Sequence, residues 1–202
     1  MTNLTDYAQT HGIPYEQFIK EEMEDRLELQ RQGKTIDDFD QYIELNYRRS
    51  LRVTKQITLT QEIKNTLQSI PFPLIWMVLT EAWCGDSAQS LPVIATLADH
   101  SPNIDLKILL RDDHLEIMDM FLTNGSRGIP KLIALDSEGN VLFTWGPRPQ
   151  PAVQLFQEEK AKGTPKQDIY VKLHTWYGRD KGNTIMAELL SAIEQSAKTK
   201  TV

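Results

Sequence analysis

One thiol dominates the chemistry open to this chain. Cys84 is the sole cysteine among 202 residues, and it stands in the stretch Trp83-Cys84-Gly85-Asp86-Ser87. A thiolate is a nucleophile, whereas a buried thiol is a small apolar group, so the setting decides which of the two Cys84 is. Upstream, Leu74-Ile75-Trp76-Met77-Val78-Leu79 is an unbroken apolar run of the kind covered on both faces of a sheet. Downstream, Leu91, Val93, Ile94 and Leu97 fall at helical spacing. The cysteine therefore sits where a strand gives way to a helix. Unpaired N–H groups and the macrodipole there favour an anion, which predicts a lowered thiol pKa. Asp86 works against this by placing a carboxylate in the same turn. At exposed sites each effect is about 1 kcal/mol or less.

Composition narrows the partners. The formal charge is −6 and the hydrophobic fraction 40%, which suits an ordinary globular chain and offers no basic stripe for nucleic acid. No apolar run approaches a membrane span, and Met1 to Asp6 lack the basic and apolar regions of a secretory signal, so the expectation is a cytoplasmic protein with no membrane partner. His11, His100, His114 and His174 are scattered and suggest no metal site. No glycine-rich phosphate loop is present, and no cofactor is expected. His114 reads as part of a solvated turn and His174 as a packed or surface side chain.

The elements that must position Cys84 follow from periodicity. Tyr15, Phe18, Ile19, Met23 and Leu27 predict a helix from about Pro14 to Gly33. Thr35 reads as the cap of a second helix carrying Ile36, Phe39, Tyr42, Ile43 and Tyr47, and Arg52 to Leu59 as a short edge strand. Thr60 caps a further helix, ended by Pro71 and Pro73. Ile104 to Leu110 alternates as a strand, and Leu115 to Leu122 carries a helical pattern closed by Asn124-Gly125. Strands at Lys131–Leu135 and Val141–Trp145 flank a glycine-containing turn, and helices are expected at about Ala152–Lys162, Lys166–Tyr177 and Asn183–Ala197. The core of this order is a βαβ unit followed by a hairpin.

Taken in order, the motifs resemble the thioredoxin superfamily: Trp83-Cys84-Gly85 after a buried strand, Pro92 within the following helix, and Arg127-Gly128-Ile129-Pro130 before the next strand. The resemblance implies an α/β, thioredoxin-like fold, a central mixed β-sheet flanked by helices. Residues 1–59 would form an N-terminal helical extension, 60–146 the core, and 147–202 C-terminal helices completing it. It also implies a cis Ile129-Pro130 bond beside the cysteine, where the backbone of Ile129 would pair with an extended substrate. The family's resolving cysteine is replaced by Ser87, so the motif is CxxS. Its buried acid is replaced by Val78, and Glu81 falls on the other strand face by parity.

The expected function is monothiol disulfide exchange. Cys84 would be the nucleophile and Ser87 its hydrogen-bonding partner, with Trp83, Gly85, Asp86, Ile129 and Pro130 contacting substrate. A protein or low-molecular-weight thiol such as glutathione would resolve the mixed disulfide. The alternative is a redox-inactive binding module on the same fold. A weaker likeness, to the CGFS motif of glutathione-ligated iron–sulfur carriers, lacks the companion residues.

Overall fold

The computed structural model describes residues 3–35 and 37–200, without the side chains of the last two. Its centre is β1 (Leu74–Thr80), seven residues all buried. Alternate residues of β1 enter two separate cores. Leu74, Trp76 and Val78 join the larger one, with Leu132 and Ala134 of β3 (Lys131–Asp136). Ile75, Met77 and Leu79 join the smaller one, with Ile133 and Leu135. Burial on both faces is why β1 reads as continuous apolar sequence and not as an alternating one.

The sheet order is β2 (Ile104–Leu110), β1, β3 and β4 (Val141–Trp145). β2 pairs parallel to β1, while β3 pairs antiparallel to β1 and to β4, with an irregularity at Ala134/Leu135. The crossover from β1 to β2 is α6 (Ser87–Asp99), which contains Pro92. This is the mixed sheet with flanking helices that the resemblance implies.

The larger core is closed by helices from both ends of the chain. α1 (Leu4–His11) lies instead against the smaller core, where Leu4 and Ala8 are buried and Thr5 Oγ1 donates to the Asp136 carbonyl at 2.8 Å. α2 (Tyr15–Phe18) runs through a π-helical segment, Ile19–Asp25, into α3 (Arg26–Arg31). α4 (Ile43–Gln56) and α5 (Gln61–Gln68) follow, the latter capped by Thr60 as expected. α7 (Leu115–Met118) is one turn, and α8 (Gln150–Ala161), α9 (Lys166–Asp180) and α10 (Asn183–Lys200) complete the layer.

Three expectations are corrected. No helix begins at Thr35. Arg26, on α3, donates to Asp37 (2.7 Å) and to buried Asp40, and Phe39 N–H donates to Asp37 Oδ1 at 2.7 Å, which holds this stretch as a turn until the 3₁₀ segment Asp40–Tyr42. Ile36 lies outside the described residues. The edge strand at Arg52–Leu59 is absent, because α4 continues to Gln56 and Ile57 only then turns extended. Val53 and Ile57 are four apart, a spacing that serves a helix as well as a strand. The helix expected over Leu115–Leu122 stops at Met118. Asn124 and Gly125, with φ of 50° and 74°, form instead the tight turn of a bridge between Thr123 and Ser126.

Candidate functional site

The Trp83–Ser87 turn crosses from β1 into α6, and it borders a cavity of about 1010 Å³ whose other walls are α4 and α9. Cys84 lines this cavity, but its side chain belongs to the smaller core with Ile75, Met77, Leu109 and Ile129, and the residue is only 8% exposed. The Ile129-Pro130 bond is cis. Cys84 Sγ donates to the Ile129 carbonyl at 3.4 Å, so the thiol faces the proline loop as the resemblance implies.

At the sulfur the opposition between helix terminus and carboxylate falls on the raising side. Burial pushes the Cys84 thiol up, and the Asp86 carboxylate adds to it. Hydrogen bonds from Ser87 and from the backbone N–H groups of Ser87 and Asp86 pull the other way and do not prevail. A helix terminus stabilises an anion only where it is not also being desolvated, and here the apolar core outweighs the dipole.

The remaining motif residues are engaged in structure. Ser87 is buried and accepts from Thr80 Oγ1 at 2.7 Å. Asp86 lies on the cavity wall, but its Oδ2 is ion-paired with Arg148 at 2.6 Å and its Oδ1 accepts from Tyr177 Oη at 3.0 Å. Arg148 follows a second cis bond, Gly146-Pro147, packed beside the first: a Cβ on Gly146 would lie 2.2 Å from the Pro130 carbonyl oxygen. Trp83 stacks on Phe39 (centroids 4.8 Å apart) and carries the Arg111 guanidinium over its ring at 5.1 Å. Gly85 is closely approached: a Cβ there would meet His174 Cε1 at 3.0 Å and Arg49 Nη1 at 3.2 Å, both at the ends of side chains able to give.

Sequence reading missed the opposite wall. Arg49 Nη1 donates to Asn46 Oδ1 at 2.9 Å and Arg52 Nη2 to Gln89 Oε1 at 3.0 Å. With its oxygen so used, Gln89 offers Nε2 to His174 Nδ1 at 3.2 Å, which places the ring hydrogen on His174 Nε2. Burial, then Arg49, Arg52 and Arg148, lower the His174 pKa to about 4, so the ring is neutral at pH 7. These groups come from α4, α6 and α9, and the only available signal was the (i, i+3) spacing of the two arginines on one helix face.

Glu81 sits past the end of β1, buried, with Oε1 accepting the Asp112 N–H at 2.8 Å. Burial raises its pKa to about 7, against the pull of that hydrogen bond. His114 accepts or donates at Nδ1 with Tyr7 Oη (2.7 Å), a more ordered setting than a solvated turn. Among the described residues no cluster of three metal-ligating side chains occurs, and no helix is long and apolar enough to cross a membrane.

Comparison with known proteins agrees with this geometry. No curated protein matches the sequence. Two solved structures share the fold: an HIV epitope scaffold (TM-score 0.57, 20% identity) and a protein of unknown function from Pseudomonas aeruginosa (TM-score 0.56, 19% identity). Each match covers 91% of this chain and 99% of the other. A family model described as Thioredoxin matches residues 32–161. With the strand–turn–helix around Cys84, the cis Ile129-Pro130 bond and the β2-β1-β3-β4 sheet all in place, the chain belongs to the thioredoxin family.

Proposed function

We propose that the chain is a ligand-binding module on a thioredoxin fold, in which Cys84 serves as part of the cavity wall and not as a nucleophile. The observation that carries this reading is the closed state of the thiol. Sγ is buried, its pKa is raised, and it donates to the Ile129 carbonyl, the backbone group to which an exchanging substrate would have to pair. Ser87 supplies no second thiol. Incubation with glutathione disulfide, followed by intact-mass measurement, is expected to leave the protein unmodified. A single glutathione adduct that is lost in Cys84→Ser overturns the reading.

That same adduct would favour monothiol exchange, a second reading supported by the position of Cys84 on the cavity wall beside Pro130, with Ser87 hydrogen-bonded to the sulfur. In it the Cys84 thiolate attacks one sulfur of a disulfide, forms a mixed disulfide and expels the other sulfur as a thiolate. An external thiol then attacks the mixed disulfide and restores Cys84.

A further inference from the structure

The cavity itself says what chemistry its occupant needs. α4 contributes a single stripe, with Tyr42 just ahead of it and then Leu45, Arg49 and Arg52; at about 1.5 Å per residue this spans roughly 15 Å. α9 runs alongside in the same sense. His174 lies beside Gly85 and Arg49, and a Cβ on Gly178 would lie 3.3 Å from Arg52 Nη1. Arg49, Arg52 and His174 therefore gather at one end of the cavity, where both arginines are half-buried. The other end is open and, apart from Lys166 on the first turn of α9, apolar: Phe39 is 46% exposed, Tyr42 47%, Leu45 50% and Val171 60%. Single exposed apolar side chains are ordinary, but four lining one cavity mark a binding surface.

The deep end holds donors without a facing acceptor. Among the described residues neither Arg49 nor Arg52 has a carboxylate within ion-pair distance, and each rests on a neutral amide oxygen. Among the described residues Gln89 bonds His174 at Nδ1, and Nε2–H has no acceptor. The charged residues of the lining are Arg49, Arg52 and Lys166 against Asp86 alone, and Asp86 is already held by Arg148 and Tyr177. This local excess of positive charge lies on a chain whose net charge is −6. Arg49 feels both the like charge of Arg52 and the carboxylate of Asp86, but Asp86 is shared with Arg148, so the pair is under-compensated and a bound oxyanion relieves that cost.

We propose that the cavity binds a small amphiphilic oxyanion, its head on Arg49, Arg52 and His174 Nε2–H and its apolar body against Phe39, Tyr42, Leu45 and Val171. This rests on the reading of the chain as a binding module and names the class of ligand. The volume, about 1010 Å³, lies at the upper end of the range for small-molecule sites. A fatty carboxylate and an alkyl phosphate share the required chemistry.

Calorimetric titration of the full chain with decanoate and with decyl phosphate tests it, with 1-decanol and inorganic phosphate as controls lacking the charge and the tail. At least one of the two anions is expected to bind at least tenfold more tightly than either control. Arg49→Gln and Arg52→Gln should each weaken that binding roughly tenfold or more, as loss of a charged hydrogen bond does. Val171→Asp, at an exposed site of the lining, should weaken it as well. Equal affinity for decanol, unchanged affinity in both arginine variants, or binding of neither anion overturns the assignment. If the assignment fails while Cys84 stays unmodified by glutathione disulfide, the ligand class is wrong and the binding module stands. A glutathione adduct on Cys84 defeats the module reading independently.

Discussion

Two walls of one cavity use their polar groups in opposite ways. On the motif wall Cys84 is bonded to the Ile129 carbonyl and Asp86 to Arg148 and Tyr177, while Ser87, which does not line the cavity, is bonded to Thr80. On the helical wall Arg49, Arg52 and His174 are steadied by amide groups that leave donor capacity unspent. The motif residues are thus engaged within the fold, and on the proposed reading recognition falls to α4 and α9. Family resemblance locates a site without saying which of its walls acts.

The largest effect that sharpens this contrast should come from Asp86. Asp86→Ala leaves Arg148 buried beside Phe156 without its carboxylate, and removing one partner of a buried pair costs about 3 kcal/mol or more. Urea unfolding measures it. A loss below about 1 kcal/mol would mean that Asp86 is not a structural residue, and the division between the walls would weaken. Next comes Gly85→Ala, whose new methyl group would press on His174 and Arg49. Both are side chains able to shift, so a cost of about 1 kcal/mol is expected, together with weaker binding of the amphiphilic anion. Unchanged binding would show that the arginine end does not meet the motif wall.

Phe39→Ala removes the stack on Trp83 at a half-exposed site, and about 0.5–1 kcal/mol is expected from thermal unfolding. The smallest effect is one of pH. The folded pKa of His174 is about 4, below its ordinary 6.5, so the unfolded state binds the extra proton between those values. Stability from a neutral, buried His174 is therefore complete above pH 6.5 and declines as pH falls toward 4. Glu81 acts oppositely: its folded pKa is about 7 against an ordinary 4.5, so its contribution declines as pH rises through that window. The wild-type and His174→Gln curves should consequently converge below pH 6.5 in their difference, while the Glu81 component cancels. A difference independent of pH would show His174 to be solvated.

Much of the scaffold is legible in the sequence because it rests on local periodicity. β1 shows itself through seven apolar or small residues in succession, α6 through its spacing, and the β3–β4 hairpin through Asp136 to Asn140. The stretch after Gly33 is not legible, because its turn is enforced by Arg26 reaching from another element to Asp37 and Asp40. The end of α4 is not legible either, because Val53 and Ile57 satisfy both periods. The placement of Cys84 beside Ile129-Pro130 was legible through the family motifs. Its protonation was not, since that depends on burial in the smaller core, to which three segments contribute: β1 (Ile75, Met77), β2 (Leu109) and the proline loop (Ile129). The cationic end was hidden for the same reason: Arg49, Gln89 and His174 meet only in the folded chain.

The rate of Cys84 alkylation by iodoacetamide as a function of pH bears most directly on the claim that this thiol is closed. A slow rate that climbs through pH 9 without reaching a plateau is the expected result, and saturating Arg49 and Arg52 with a bound anion should not speed it. A fast rate with a plateau reached at or below pH 7 would reveal a poised thiolate and contradict the account.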